Sequence, residues 1–198
     1  MTVKLPRTYL ARHGETEWTI SGQHTGHIDI PLTESGERNA VLLGERLKGV
    51  SFAAVYTSPL QRASKTCELA GFGSVAKKDP DLMELNYGDY EGRTTADIQK
   101  EIPHWNIFAN DCPGGETINE VYERASRVVK RLKDINDNVL LFSHGHFLRF
   151  VAVCWLGLPK LDARFFLLCP TSISILGYEH NIDEPAIRLW NDDGHVER

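Results

Sequence analysis

The sequence predicts an α/β protein: a three-layer sandwich with a mostly parallel central sheet flanked by helices. Three observations carry this expectation. Short apolar runs at residues 8–11, 52–57 and 138–143 read as strands buried on both faces. Segments of helical spacing lie between them, and strands alternating with helices build a parallel sheet. Residues capable of chemistry stand at the carboxyl ends of these runs, where open α/β sheets bind ligands. No repeat, low-complexity tract or Gly/Ser linker divides the 198 residues, so residues 1–198 are expected to form one domain.

Taken in order, the first run (Thr8, Tyr9, Leu10, Ala11) leads straight into Arg12-His13-Gly14. Residues 17–32 lack periodicity and read as a long loop over that end. Thr33 is the expected N-cap of a helix bearing Ala40, Leu43 and Leu47. The second run ends at Ser58-Pro59, an N-cap and first-turn proline for a helix carrying Leu60, Ala63, Cys67 and Ala70. Residues 71–93 read as irregular, with a short strand near Leu82. Thr94-x-x-Asp97 and Thr117-x-x-Glu120 match the capping-box pattern, the second opening a long helix with Val121, Ala125, Val128, Val129 and Leu132. The third run ends at His144-Gly145-His146, and an apolar helix from Phe147 to Leu156 is stopped by Gly157. Residues 172–177 and 186–190 read as two closing strands.

Composition narrows the function. Hydrophobic residues make up 41% and charged residues 25%, a globular balance. The net charge of -5 gives no overall attraction to nucleic acid or to an acidic membrane, so neither is an expected partner. An anionic substrate then requires a locally positive pocket. No run reaches the length of a membrane span, and residues 1–6 lack a signal-peptide core. Four scattered cysteines without C-x-x-C spacing fit a reducing cytoplasm.

If the strand ends converge, Arg12, His13, Arg62 and His144 place two guanidiniums and two imidazoles in one crevice, a set matched to a phosphoryl group. Guanidiniums also hold an imidazole neutral and hence nucleophilic. A carboxyl near the leaving oxygen is needed as proton donor, and Glu84, in the irregular stretch, is the candidate. Singly, each has a plainer reading: a hydrogen-bonded structural histidine, a surface arginine, a solvated carboxylate. Convergence is what distinguishes the two. Neither His24-x-x-His27 nor His144-x-His146 is completed by a helical His pair or an Asp-rich loop, so no metal is expected. Gly71-Phe72-Gly73 lacks the third glycine of a dinucleotide loop and follows a helix, so no nucleotide cofactor is expected either. Of Trp105, Trp155 and Trp190, Trp105 is the one expected to reach a substrate.

These segments resemble the histidine phosphatase (phosphoglycerate mutase-like) superfamily. Residues 10–16 (LARHGET), 57–63 (TSPLQRA), 84–92 (ELNYGDYEG) and 143–146 (SHGH) are similar to its four motifs, in family order. Residues 22–26, 105–107, 115–117 and 180–186 further resemble the branch of metal-independent sugar phosphatases that includes fungal sedoheptulose-1,7-bisphosphatase. The chain departs from that branch at His24, where a tyrosine is expected, and in a short segment between Leu158 and Phe165. Thr19 stands where mutases carry asparagine. The resemblance implies that His13 attacks phosphorus and that Arg12, Arg62 and His144 hold its oxygens, with helix-start amides after Gly145 adding donors. It implies Glu84 as general acid and then base. Thr19, Gln23, His24, Thr25, Tyr87, Trp105 and Gly145 would line the substrate pocket. The expected activity is metal- and cofactor-independent hydrolysis of a small phosphorylated metabolite, a sugar phosphate such as sedoheptulose-1,7-bisphosphate. A phosphoglycerate mutase and a non-catalytic phospho-ligand binding module are the alternatives. Against the first stand the absence of a spare lid segment and Thr19. Against the second stands the presence of all five core residues. Arg93, Lys100 and His24 are candidates for a second phosphate subsite. Oligomeric state is not legible.

Overall fold

The computed structural model describes residues 5–197. Its elements are β1 (Thr8–Arg12), α1 (Glu17–Ser21), α2 (Glu34–Arg46), β2 (Ala54–Thr57), α3 (Gln61–Leu69), β3 (Lys77–Lys78), α4 (Thr95–Glu101), α5 (Ile118–Lys133), β4 (Val139–Ser143), α6 (Gly145–Leu156), β5 (Ile173–Tyr178) and β6 (Pro185–Asp192). Short 3-10 turns occupy Pro80–Leu82, Gly88–Tyr90 and Lys160–Phe165.

The strands form a single six-stranded sheet in the order β3-β2-β4-β1-β5-β6. β1, β2, β3 and β4 run parallel, while at one side β5 pairs antiparallel with β1 and β6 antiparallel with β5. Alternation along the central strands sorts the core into two layers. Leu10, Val139 and Leu141 pack with the apolar faces of α5 and α6. Tyr9, Ala11, Leu140 and Phe142 face the other way, onto Leu43 and Leu47 from the α2 end and Cys67 of α3. Because successive strand residues point to opposite faces, a wholly apolar strand needs helices on both sides, and β4 is buried along its full length. Each buried Leu or Phe contributes about 2 kcal/mol of transfer free energy.

Local signals hold in most places and fail in a few. Thr33 caps α2 by accepting from the Gly36 N–H, and Thr117 with Glu120 forms a complete capping box on α5. At α4 the Thr94 hydroxyl accepts from the Asp97 N–H and donates to the Asp97 carboxylate at 2.7 Å. Residues 17–32 are not all loop. Thr16 and Thr19 cap α1, whose five residues are too few to show periodicity. The strand expected near Leu82 is a 3-10 turn, and β3 lies earlier, at Lys77–Lys78. Pro80 accounts for this, since it fixes φ and has no N–H to offer a ladder. Ser58 does not cap α3. The helix begins at Gln61 with Leu60 at its N-cap, while the Ser58 hydroxyl accepts from the Leu60 N–H at 3.3 Å and meets His144 at 2.8 Å. Finally, α6 starts two residues before Phe147, at Gly145. Among the described residues no helix is long and apolar enough to cross a membrane.

Candidate active site

The register of the parallel strands brings the sequence candidates together. Arg12 pairs with Ser143 and Thr57 with Phe142, so β1, β4 and β2 end side by side. His13 and His144 follow immediately, with ring centroids 5.2 Å apart. The backbone at His13 is clamped on two sides: its N–H donates to Ser143 and its carbonyl accepts from Thr171. Arg62 enters from the first turn of α3 and is fully buried.

The hydrogen bonds of His13 set its tautomer. Nδ1 lies 2.7 Å from the Gly14 carbonyl, which only accepts, so Nδ1 carries the proton and Nε2 the lone pair. Burial first, then the charges of Arg62 and Arg12, hold its pKa well below the ordinary imidazole value. The His144 pKa falls for the same reasons, burial leading, then Arg62, His13 and Arg12. Its Nε2 meets the Ser58 hydroxyl at 2.8 Å. Both imidazoles are neutral at pH 7. Burial lowers Arg12 to about 10, leaving it charged.

Arg62 also anchors the loop over the site, donating to the carbonyls of Thr25, Gly26 and Ile28 at 2.7–3.1 Å. Arg12 donates to the Leu168 carbonyl. Gly145 lies close against Arg12: a Cβ there would lie 3.2 Å from the guanidinium carbon, so the arginine would have to give by a few tenths of an ångström. Several buried side-chain nitrogens have no partner within the protein, among them Arg12 Nε, Arg62 Nε, His144 Nδ1, Trp105 Nε1 and Arg149 Nε. Unpartnered buried polar atoms are few in native proteins, and their clustering here marks a place where a ligand supplies acceptors.

Glu84 reaches the site from residues 83–87. Its carboxylate accepts from the Leu85, His146 and Phe147 N–H groups at 2.8–3.0 Å, sitting on the N-terminus of α6. The amides after Gly145 are therefore committed to Glu84, which corrects the expectation that they serve a phosphoryl group. Arg124 holds the Glu84 segment in place. It pairs with both Glu116 oxygens at 2.7 and 2.9 Å and donates to the carbonyls of Asp81 and Met83.

Above these groups opens a cavity of about 410 Å³. His13, Arg12 and Glu84 reach it, while Arg62 and His144 lie beneath. All seven expected wall residues line it: Thr19, Gln23, His24, Thr25, Tyr87, Trp105 and Gly145. Their polar groups are partly spent. The Thr19 hydroxyl serves the α1 cap, and the Gln23 amide donates to the Gly92 carbonyl at 2.7 Å. His24 stacks beside Tyr87 at 4.8 Å and Trp105 at 5.4 Å, and burial lowers its pKa to about 4. Burial, then Glu84, keeps the Tyr87 phenol protonated, and its hydroxyl pairs with His146 Nδ1. Sequence reasoning missed Arg149 and Arg164 on the wall, and it weighed His146 only within the SHGH segment and as a metal ligand it rejected, not as a wall residue. Arg149 follows His146 by three residues on α6, a spacing that places both on one helix face and was readable. The chain is acidic, yet three arginines and, among the described residues, a single carboxylate (Glu84) line the cavity. The local field is positive.

A parallel sheet presenting paired imidazoles and guanidiniums at adjoining strand ends defines an α/β enzyme that handles phosphoryl groups through histidine. The chain belongs to the histidine phosphatase superfamily (branch 1), whose profile matches residues 8–193, and it is a phosphatase of that family. An acid phosphatase of Mycobacterium tuberculosis is 38% identical over 191 residues, covering 94% of each chain. Sedoheptulose 1,7-bisphosphatase of Saccharomyces cerevisiae is 33% identical, with 93% of this chain and 92% of the yeast protein covered. Among solved structures, an open reading frame product of Mycobacterium tuberculosis superposes with a TM-score of 0.90 at 35% identity, over 95% of this chain and 98% of the other.

Proposed function

We propose that the protein hydrolyses sugar phosphates, sedoheptulose-1,7-bisphosphate being one candidate, through a phosphohistidine and without a metal. The observation that carries this reading is the His13–His144 pair, 5.2 Å apart and held neutral by burial and two guanidiniums. The Nε2 lone pair of His13 forms a bond to phosphorus as the bond to the leaving oxygen breaks. Glu84 gives its proton to that oxygen. Water then attacks phosphorus, returns a proton to Glu84, and phosphate leaves as the N–P bond breaks. Arg12, Arg62 and His144 stabilise the equatorial oxygens, each such donor contributing about 3 kcal/mol to lowering the barrier. The neutral rings of His24, Tyr87, His146 and Trp105 offer a hydroxylated leaving group a wall of rings and N–H donors. A single domain in a reducing, cytoplasmic compartment accompanies the reading, supported by four free thiols.

The test is a panel of sedoheptulose, fructose and ribose phosphates, with free phosphate and isomerised phosphoester both quantified. Phosphate release that survives EDTA, a phosphorylated His13 caught by rapid quench, and loss of at least a thousandfold of kcat in His13→Ala are expected. Retention of the phosphoryl group on an isomerised product identifies a mutase. Absence of both products identifies a binding module.

A further inference from the structure

We propose that Arg164 and Arg149 form a second anion site in the cavity, selecting phosphoesters whose leaving alcohol carries a further phosphate or carboxylate. The proposal rests on the phosphatase reading and adds to it the charge of the leaving group.

Both arginines line the cavity that His13 and Glu84 open into, and among the described residues neither forms an ion pair or a side-chain hydrogen bond. The other cations once eligible are committed elsewhere. Arg93 is paired with Glu101 and Lys100 with Asp97, each at 2.6 Å, and His24 is neutral. Arg149 lies on α6 three residues after His146, on the same helix face. Its Nε is buried without a partner, and its guanidinium lies 5.4 Å from the Phe108 ring centroid. Arg164 comes from the 3-10 turn Lys160–Phe165, which Ala163 pins into the core against α6. Its guanidinium rests 4.6 Å from the Phe165 ring centroid, leaving its N–H fork unspent. Planar forks without a carboxylate partner match phosphate and carboxylate oxygens bidentately.

The experiment compares wild type, Arg164→Gln and Arg164→Lys on fructose 1,6-bisphosphate, 3-phosphoglycerate and glycerol 2-phosphate, reading phosphate release. The measured quantity is the ratio of kcat/KM for each doubly anionic ester to that for glycerol 2-phosphate. Arg164→Gln is expected to lower the ratio about tenfold, chiefly through KM, and Arg164→Lys to restore part of it. The arm that carries the effect tells whether the distal group is phosphate or carboxylate. A ratio within twofold of wild type in both arms overturns the second site while leaving the phosphatase reading standing. No hydrolysis of any ester by wild type overturns both.

Discussion

His13 shows how much one side chain's chemistry depends on neighbours distant in sequence. Gly14 and Arg12 are adjacent, but the burial that chiefly keeps it neutral comes from packing across the chain, the other guanidinium from Arg62, and the clamp on its backbone from residues 143 and 171. Arg62 in turn is only as well placed as the loop it holds. Gly26 lends it a carbonyl at 2.7 Å and is itself hemmed in: a Cβ there would lie 2.1 Å from a Glu91 oxygen and 2.5 Å from the Leu85 carbonyl. Gly26→Ala must therefore shift the loop. It is expected to cost about 2 kcal/mol of stability and to lower kcat roughly tenfold, since overpacking displaces backbone. Urea denaturation with steady-state kinetics checks both figures.

At the scale of elements, α6 and α5 share the work of placing Glu84. The helix α6 contributes two amide donors and a favourable dipole end. From α5, Arg124 grips the carbonyls of the preceding segment and pairs bidentately with Glu116, which also accepts from the Asn86 N–H. Arg124→Ala leaves the Glu116 carboxylate without its partner in a side-chain setting only 21% exposed. A loss of about 3 kcal/mol is expected, and kcat should fall more than KM rises, because the proton donor moves while the phosphoryl pocket stays. Arg124→Lys should recover little of it, as an ammonium cannot reproduce the fork. Calorimetry and a kcat-against-KM comparison are the measurements.

For the molecule as a whole, His13, His24 and His144 are buried and His146 half-buried, and the pKa values of all four fall on folding, loss of solvation being the leading cause in each. The unfolded chain therefore takes up protons first as pH drops. Stability is at its full value above about pH 6.5 and declines below it, by about 1.4 kcal/mol per pH unit for each histidine that charges only in the unfolded state. For His24 the decline continues to about pH 4. His180, exposed and raised by Glu184, opposes this weakly. Denaturant midpoints measured from pH 8 to 5 should fall on the acid side; a flat profile would show that these rings are solvated. The same burial explains what was legible beforehand. Strands β1, β2 and β4, the long helices and Glu84 could be read from apolar runs, caps and motif order. The cap at Ser58 and the strand near Leu82 misled, because the Ser58 hydroxyl goes to the Leu60 N–H and to His144, and Leu82 closes a turn begun by a proline.

The sequence by itself determined the element order, the two-sided core and the residue types able to handle phosphorus, because these depend on periodicity and local capping. Only the tertiary structure decided which groups share the site. The amides of α6 go to Glu84, Arg93 and Lys100 turn to their own carboxylates, and Arg149 and Arg164 remain facing the cavity. Hydrogen-bond partners and burial across distances of tens of residues are properties of the packed chain, and no local pattern encodes them.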